Sequence, residues 1–85
     1  MAEAPTADRT LDCKGLLCPM PIVKLSKAVK EMEAGQVVLM EATDPGAIPD
    51  VVAWSKNTGN PLLAHDKEKA VMRFWIQKAW TPPGA

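Results

Sequence analysis

The sequence predicts a small α/β domain of the α+β class: a two-layer sandwich with two helices on one face of a four-stranded mixed sheet. Segments with the apolar spacing of strands and of helices follow one another in the order β-α-β-α-β-β, and a glycine follows each helical segment. The length of 85 residues suits one domain with a modest core. Each helix has an apolar stripe to bury, and one sheet face can cover both.

The first two elements follow from apolar spacing. Residues 10–13 (TLDC) alternate in polarity, as a short strand does. Residues 19–34 are predicted to form the first helix, because Ile22, Leu25 and Val29 fall on one stripe. The glycine that follows is a typical C-terminal stop.

The central segments are a strand and a second helix. Residues 36–43 (QVVLMEAT) form an apolar run rich in β-branched side chains, which is typical of a central strand. Residues 48–58 are predicted to be helical, with Gly59 as the stop.

The last two strands are predicted at residues 61–65 and 70–78, joined by a turn at residues 66–69 (DKEK). Trp75 is expected on the open face of the sheet, either as a surface aromatic, as a position covered by the C-terminal tail, or as a contact for a partner. Alternation assigns three side chains of the final strand to the core: Met72, Phe74 and Ile76.

Both ends of the chain are predicted to be flexible. Residues 1–9 are mostly small or polar, and residues 80–85 contain two consecutive prolines. The folded domain is therefore expected to span residues 10–79.

Composition narrows the class of partner. Ten basic and ten acidic residues give zero formal net charge, so the chain lacks the basic excess that drives binding to nucleic acid. No apolar run approaches the roughly 18 residues that span a bilayer. We expect a cytoplasmic protein with no membrane partner and no direct nucleic-acid partner, in which both cysteines stay reduced.

The segment GLLCPMP places a cysteine at the expected start of the first helix. Proline is tolerated in the first helical turn, where backbone N–H groups lack a partner within the helix. We therefore expect Pro19 at position N1 and Pro21 at N3, with Cys18 as the N-cap. The helix dipole there favours a thiolate, although two missing N–H groups make the expected fall in pKa mild.

Four residues beside Cys18 are candidates for contact with a protein partner. Helical projection places Met20, Val23, Lys24 and Lys27 away from the predicted core. Two apolar side chains next to two lysines suit a docking surface, although isolated apolar residues are also common on protein surfaces.

Cys13 has two interpretations. Its alternation with Leu11 turns it toward the core, where a buried and inert cysteine is the commoner outcome. The alternative is a resolving thiol that attacks the cysteine sulfur of a Cys18 persulfide, forms the Cys13–Cys18 disulfide and releases sulfide. His65 and the two cysteines lack the paired spacing of a zinc site, so no metal and no cofactor is expected. Asp44, before Pro45, is interpreted as a turn former.

Several segments resemble the TusA/SirA-like sulfur-carrier family and its CPxP signature. They are residues 11–12 (LD), 15–16 (GL) and 18–21 (CPMP), and the resemblance continues through residues 42–46 (ATDPG), Asp50, Trp54 and residues 58–60 (TGN). It covers residues 10–78.

The resemblance implies that Cys18 accepts sulfur as a persulfide and passes it to another protein. It implies a donor such as a cysteine desulfurase or a rhodanese-like protein. The implied acceptors belong to tRNA thiolation, molybdenum-cofactor assembly or sulfur oxidation. The sandwich fold predicted above is the fold of that family.

Two other classes of function remain open from the sequence. A thiol–disulfide redox protein would use Cys13 and Cys18 together. A noncatalytic binding module would use the open sheet face to contact RNA or protein. No serine–histidine–aspartate set, phosphate loop or paired-carboxylate cleft is recognisable, so we expect a carrier that reacts and not an enzyme that turns over small substrates.

Overall fold

The computed structural model describes residues 6–17 and 19–79. Their elements follow the predicted β-α-β-α-β-β order, with the bounds β1 (Arg9–Cys13), α1 (Met20–Lys30), β2 (Val37–Ala42), α2 (Ala47–Thr58), β3 (Leu62–Glu68) and β4 (Val71–Gln77). The predicted fold class is confirmed. None of the helices in this part of the chain is long and apolar enough to cross a membrane.

The four strands form one mixed sheet in the order β1-β2-β4-β3. β1 runs parallel to β2, whereas β4 is antiparallel to both β2 and β3. Before β1, the Asp8 N–H donates to the Val37 carbonyl at 2.8 Å, and the Val37 N–H donates to the Asp8 carboxylate at 2.9 Å. These bonds set the register in which Cys13 lies opposite Ala42.

The core lies between the sheet and the two helices. Phe74, Leu25 and Met40 are among its largest fully buried side chains. The assignment of Met72, Phe74 and Ile76 to the core is confirmed, since each is at most 3% exposed. The strand period therefore predicted correctly which side of β4 is buried.

The first helix is shorter than predicted. It begins at Met20 and ends at Lys30, not at residue 34. After Lys30 the chain tightens, because the Glu31 N–H donates to the carbonyl of Ala28, three residues earlier, at 3.1 Å. Gly35, with φ of 89°, then donates its N–H to the Lys78 carbonyl. Residues 31–34, which the sequence assigned to the helix, thus lead instead to the backbone hydrogen bond between Gly35 and Lys78, in the segment after β4.

The turn predicted at residues 66–69 is wrong. β3 continues to Glu68, and a turn at Lys69 and Ala70 leads into β4. The charged side chains pair across the strands: Arg73 donates two hydrogen bonds to the Asp66 carboxylate, at 2.7 and 2.6 Å. The bonds from Arg73 lower the pKa of Asp66. The polar composition of residues 66–69 suggested a loop, but the same polar side chains also occur at strand positions that face the solvent.

Trp75 lies on the open face as expected, but it is not exposed. Its side chain is 5% exposed, and the Arg73 guanidinium lies 5.3 Å from the centre of its ring. Leu39 and Ala64 are its neighbours on the adjacent strands. The arginine covers the indole, so alternation alone overestimated its accessibility.

The second helix begins one residue before the predicted start, at Ala47. Asp44 organises this start, because its carboxylate accepts the Gly46 N–H at 3.1 Å and its carbonyl accepts the Ala47 N–H at 2.9 Å. The interpretation of Asp44 as a turn former is confirmed. The helix ends at Thr58, and Gly59 follows with φ of 79°, as the sequence predicted.

We predict that Lys69→Gly raises the free energy of unfolding by about 0.5 kcal/mol, because Lys69 has φ of 57° and a side chain is disfavoured there. Urea denaturation measures the change. Ala70→Gly is the matched control and should lower stability, since it adds chain entropy without relieving a positive φ. Equal losses for the two variants would contradict the prediction.

Candidate functional site

The candidate site surrounds the loop between β1 and α1. Cys18, the central residue in the sequence interpretation, lies outside the described residues, as do residues 1–5 and 80–85. Its neighbours on both sides are described. The site is therefore defined by the loop that leads to position 18, by the helix that follows it, and by the side chains around them.

The loop is fixed by three backbone donors. The Lys14 N–H donates to the Asp12 carboxylate at 2.9 Å, and the Leu16 N–H donates to the Cys13 carbonyl at 3.2 Å. The Gly15 N–H donates to the Thr43 hydroxyl at 2.9 Å. Gly15 has φ of 80°, a conformation that glycine adopts without strain. The loop is thus a defined turn attached to the segment that follows β2.

The helix after the loop begins one residue later than predicted. Pro19 is the N-cap, not N1, with φ of −97° and ψ of 13°, and Pro21 is the second helical residue, not N3. Met20 takes the first helical position, where its N–H donates to the Leu17 carbonyl at 2.9 Å. The expected N-cap role of Cys18 is therefore wrong.

The backbone donors of this first turn are already engaged. The N–H groups of Ile22 and Val23 both donate to the Pro19 carbonyl at 3.1 Å, and Pro21 has no N–H. An anion beside this turn would be stabilised by the helix dipole without direct bonds from these groups. The first turn contains no acidic residue. A mild fall in the pKa of a neighbouring thiol remains the expectation.

An apolar surface with a basic border lies next to position 18, and we call it the docking surface. Met20 is 47% exposed and Val23 53%, and the spacing of Lys24 and Lys27 places them on the same side of α1. Leu17, 73% exposed, completes it. The structure thus brings together the four residues that the sequence analysis grouped.

Leu17 was missed by the sequence analysis. Its neighbour Leu16 packs against the core, whereas Leu17 is exposed. The Leu-Leu pair directly before the cysteine is therefore the signal that one leucine remains in solvent. That signal becomes useful only once Leu16 has been assigned to the core.

A groove of about 330 Å³ separates the beginning of α1 from α2. Trp54 forms part of its wall, and the indole N–H donates to the Ser26 hydroxyl of α1 at 2.8 Å. This bond fixes the spacing of the two helices. The groove is lined by Pro19, Ile22, Asp50, Ala53, Trp54 and Asn57.

Cys13 is fully buried at the end of β1. Burial raises the pKa of its thiol; Lys24 opposes this rise and Asp12 adds to it. A buried thiol with a raised pKa stays protonated near neutral pH and is a poor nucleophile. The expected burial of Cys13 is confirmed, whereas the choice between a structural cysteine and a resolving thiol stays a prediction.

His65 lies on β3, and its ring stacks on Phe74 with 6.2 Å between the ring centres. Within residues 6–17 and 19–79, no three histidine, cysteine, aspartate or glutamate side chains are placed to hold a metal ion. The position of His65 is explained by its contact with Phe74.

The sequence of this chain is similar to known proteins over most of its length. The family model described as Sulfurtransferase TusA matches residues 9–78. YrkI of Bacillus subtilis is 51% identical over 72 residues, which cover 85% of this chain and 96% of YrkI. Sulfur carrier protein TusA of Allochromatium vinosum is 42% identical over 72 residues, which cover 85% of this chain and 95% of that protein.

A solved structure has the same fold. The crystal structure of a SirA-like protein from Desulfitobacterium hafniense superimposes with a TM-score of 0.74 at 24% sequence identity. The match covers 85% of this chain and 99% of that chain.

We predict that Cys13 makes the stability of the Cys18→Ser protein fall as pH rises above about 8.5, the ordinary thiol pKa. The folded-state pKa is raised, so the stabilisation is complete below the unfolded-state value and is lost as pH rises toward the folded-state value. Urea denaturation from pH 7 to 10 measures it. The Cys13→Ala, Cys18→Ser protein is the control, and an identical pH profile for the two would exclude this role of Cys13.

Proposed function

The chain belongs to the TusA family and is a sulfur carrier protein of sulfur relay, and on that premise we propose that Cys18 carries the sulfur as a persulfide. The observation that carries the proposal is the arrangement on both sides of position 18. An anchored loop precedes it, a helix without acidic residues in its first turn follows it, and the docking surface adjoins it.

The transfer step is an exchange at sulfur. The Cys18 thiolate attacks the outer sulfur of a persulfide on the donor protein, a new S–S bond forms, and the S–S bond of the donor breaks. The donor leaves as a thiolate, and Cys18 becomes the persulfide. One sulfur atom moves without net oxidation or reduction of the pair, so the step needs no cofactor. Delivery to the acceptor repeats the same exchange.

The docking surface supports contact with protein partners. Leu17, Met20 and Val23 offer an apolar centre, while Lys24 and Lys27 form a basic border. The matching surface on a donor or acceptor would be apolar with an acidic rim. We propose a cysteine desulfurase or a rhodanese-like protein as the donor, and an acceptor in tRNA thiolation, molybdenum-cofactor assembly or sulfur oxidation.

The open face of the sheet gives little support to an RNA-binding module. Strand pairing places Asp12, Glu41, Arg73 and Asp66 in one row across the four strands, so three carboxylates accompany one guanidinium. Trp75, beneath Arg73, is 5% exposed and is not available for base stacking. A surface that binds RNA needs a basic groove and accessible aromatic rings.

The two-cysteine redox alternative is weakened by the position of Cys13. A dithiol pair cycles through thiolate attack, which requires an accessible sulfur. Cys13 is fully buried and its pKa is raised. A carrier with one reactive cysteine fits this environment better. We place its action in the cytoplasm, where reduced thiols are maintained.

We predict that Cys18→Ser abolishes sulfur loading, whereas Cys13→Ala retains it. Intact mass after incubation with a cysteine desulfurase and L-cysteine should rise by about 32 Da for each sulfur in the parent and in Cys13→Ala. Circular dichroism checks that each variant is folded. Loading of a folded Cys18→Ser protein would exclude Cys18 as the carrier.

The lifetime of the persulfide tests the resolving role of Cys13. Without an acceptor, the persulfide on Cys13→Ala should persist no longer than that on the parent if Cys13 is structural. A markedly longer lifetime would identify Cys13 as a resolving thiol.

We predict that Lys24→Glu with Lys27→Glu lowers the second-order rate constant of loading about tenfold at low salt, because charges at an interface border act mainly on association. The difference should shrink as salt rises toward 0.5 M, where screening is strong. Lys30→Glu with Lys56→Glu changes the net charge equally at the C-terminal ends of α1 and α2 and is the control. Equal slowing by both pairs would indicate a net-charge effect and not a docking surface.

A further inference from the structure

We infer that Thr43 is a positioning residue for sulfur transfer, because its hydroxyl fixes the loop that leads into Cys18. The inference rests on the proposed function of Cys18 and adds a residue outside the loop and helix that contain it. Thr43 directly follows β2, far from Cys18 along the chain.

The bond from Gly15 to Thr43 differs from the other bonds of the loop. The Lys14 and Leu16 N–H groups find acceptors two and three residues away, on Asp12 and Cys13. These local bonds shape the turn but do not position it on the domain. The Gly15 N–H donates at 2.9 Å to a hydroxyl that is 28 residues away in sequence. This contact therefore attaches the turn to the rest of the sheet.

Thr43 also precedes the residue that organises α2. Asp44 accepts the N–H groups of Gly46 and Ala47, so the segment after β2 fixes the start of that helix. Farther along α2, the Trp54 indole N–H donates to the Ser26 hydroxyl of α1. The loop before Cys18 and the helix after it are thus both held to the segment from Thr43 to Trp54. Removing the Thr43 hydroxyl breaks the hydrogen bond from Gly15 that holds the loop to this segment.

The consequence for transfer follows from geometry. Gly15 lies three residues before Cys18, so freedom gained at Gly15 is transmitted through a short segment. Exchange at sulfur requires the attacking thiolate to align with the S–S bond of the donor, and small displacements of reacting groups reduce such rates strongly. Thr43 does not contribute to the docking surface. Loss of the Thr43 hydroxyl should therefore lower the rate of sulfur transfer within the bound complex and leave the affinity for the donor unchanged.

The test compares Thr43→Val with Thr43→Ser. Valine keeps the branched shape and removes the acceptor, whereas serine keeps the acceptor. In single-turnover loading from a persulfidated cysteine desulfurase, Thr43→Val should lower the maximal rate about fivefold to tenfold. The donor concentration at half-maximal rate should change by less than about twofold. Serine should restore most of the rate, and amide exchange at Gly15 should be faster in Thr43→Val alone.

Thr58→Val is the matched control. The Thr58 hydroxyl donates to the Trp54 carbonyl and accepts from the Asn60 amide at the opposite end of α2. The same substitution there removes comparable hydrogen bonds away from the loop. It should reduce the melting temperature and leave loading unchanged. Equal slowing by Thr58→Val would mean that general loss of stability causes the effect, and the inference would be overturned.

A second measurement separates this inference from the proposed function. In a Cys13→Ala background, the rate of Cys18 alkylation by iodoacetamide between pH 6 and 9 reports the thiol without any donor. Thr43→Val should change this pH profile and Thr43→Ser should not. Failure of the parent to load sulfur on Cys18 would refute the proposed function, while the alkylation profile would still decide whether Thr43 positions the thiol. If the Thr43→Val protein is loaded and alkylated at the same rates as the parent, the inference is overturned.

Discussion

The parallel pairing of β1 with β2 is the constraint on which the site depends. Parallel neighbours must be joined by a crossover, and α1 provides it. Both strands then end at the same edge of the sheet, with Cys13 opposite Ala42. The loop that begins at Lys14 and the segment that begins at Thr43 become neighbours for that reason, and the bond between Gly15 and Thr43 becomes available. Antiparallel pairing would have placed these segments at opposite edges.

The sequence predicted the parts of the fold that depend on periodicity. The core face of β4 follows from spacing, the order of elements follows from spacing and residue type, and the end of α2 follows from the glycine at position 59. The C-terminal end of α1 and the final turn were wrong because contacts with residues outside each of these segments decide them. Gly35 bonds to Lys78, and Arg73 pairs with Asp66. Composition cannot anticipate such partners. The same division applies to the site, where helical spacing identified Met20 and Lys24 but no local pattern could identify Thr43.

The open face of the sheet and the surface of α1 beside position 18 differ in how their polar residues are engaged. On the open face, Arg73 is held by Asp66 and covers Trp75, so its charge and the aromatic ring are used within the domain. Beside position 18, Leu17 and Val23 remain exposed and the lysines of α1 border them. Apolar area left in solvent costs stability, which a domain of this size can support only to a limited extent. Exposure next to position 18 therefore supports the partner contact that we propose.

The two cysteines lie five positions apart, and the residues next to them have different surroundings. Cys13 ends β1 inside the core, where burial raises the pKa of its thiol even with Lys24 nearby. Cys18 is joined to Pro19, which precedes a helix whose dipole favours an anion. The turn at Gly15 stands between them, and Leu17, which follows this turn, is exposed. One short loop thus joins a buried thiol to the cysteine that we propose as the sulfur carrier.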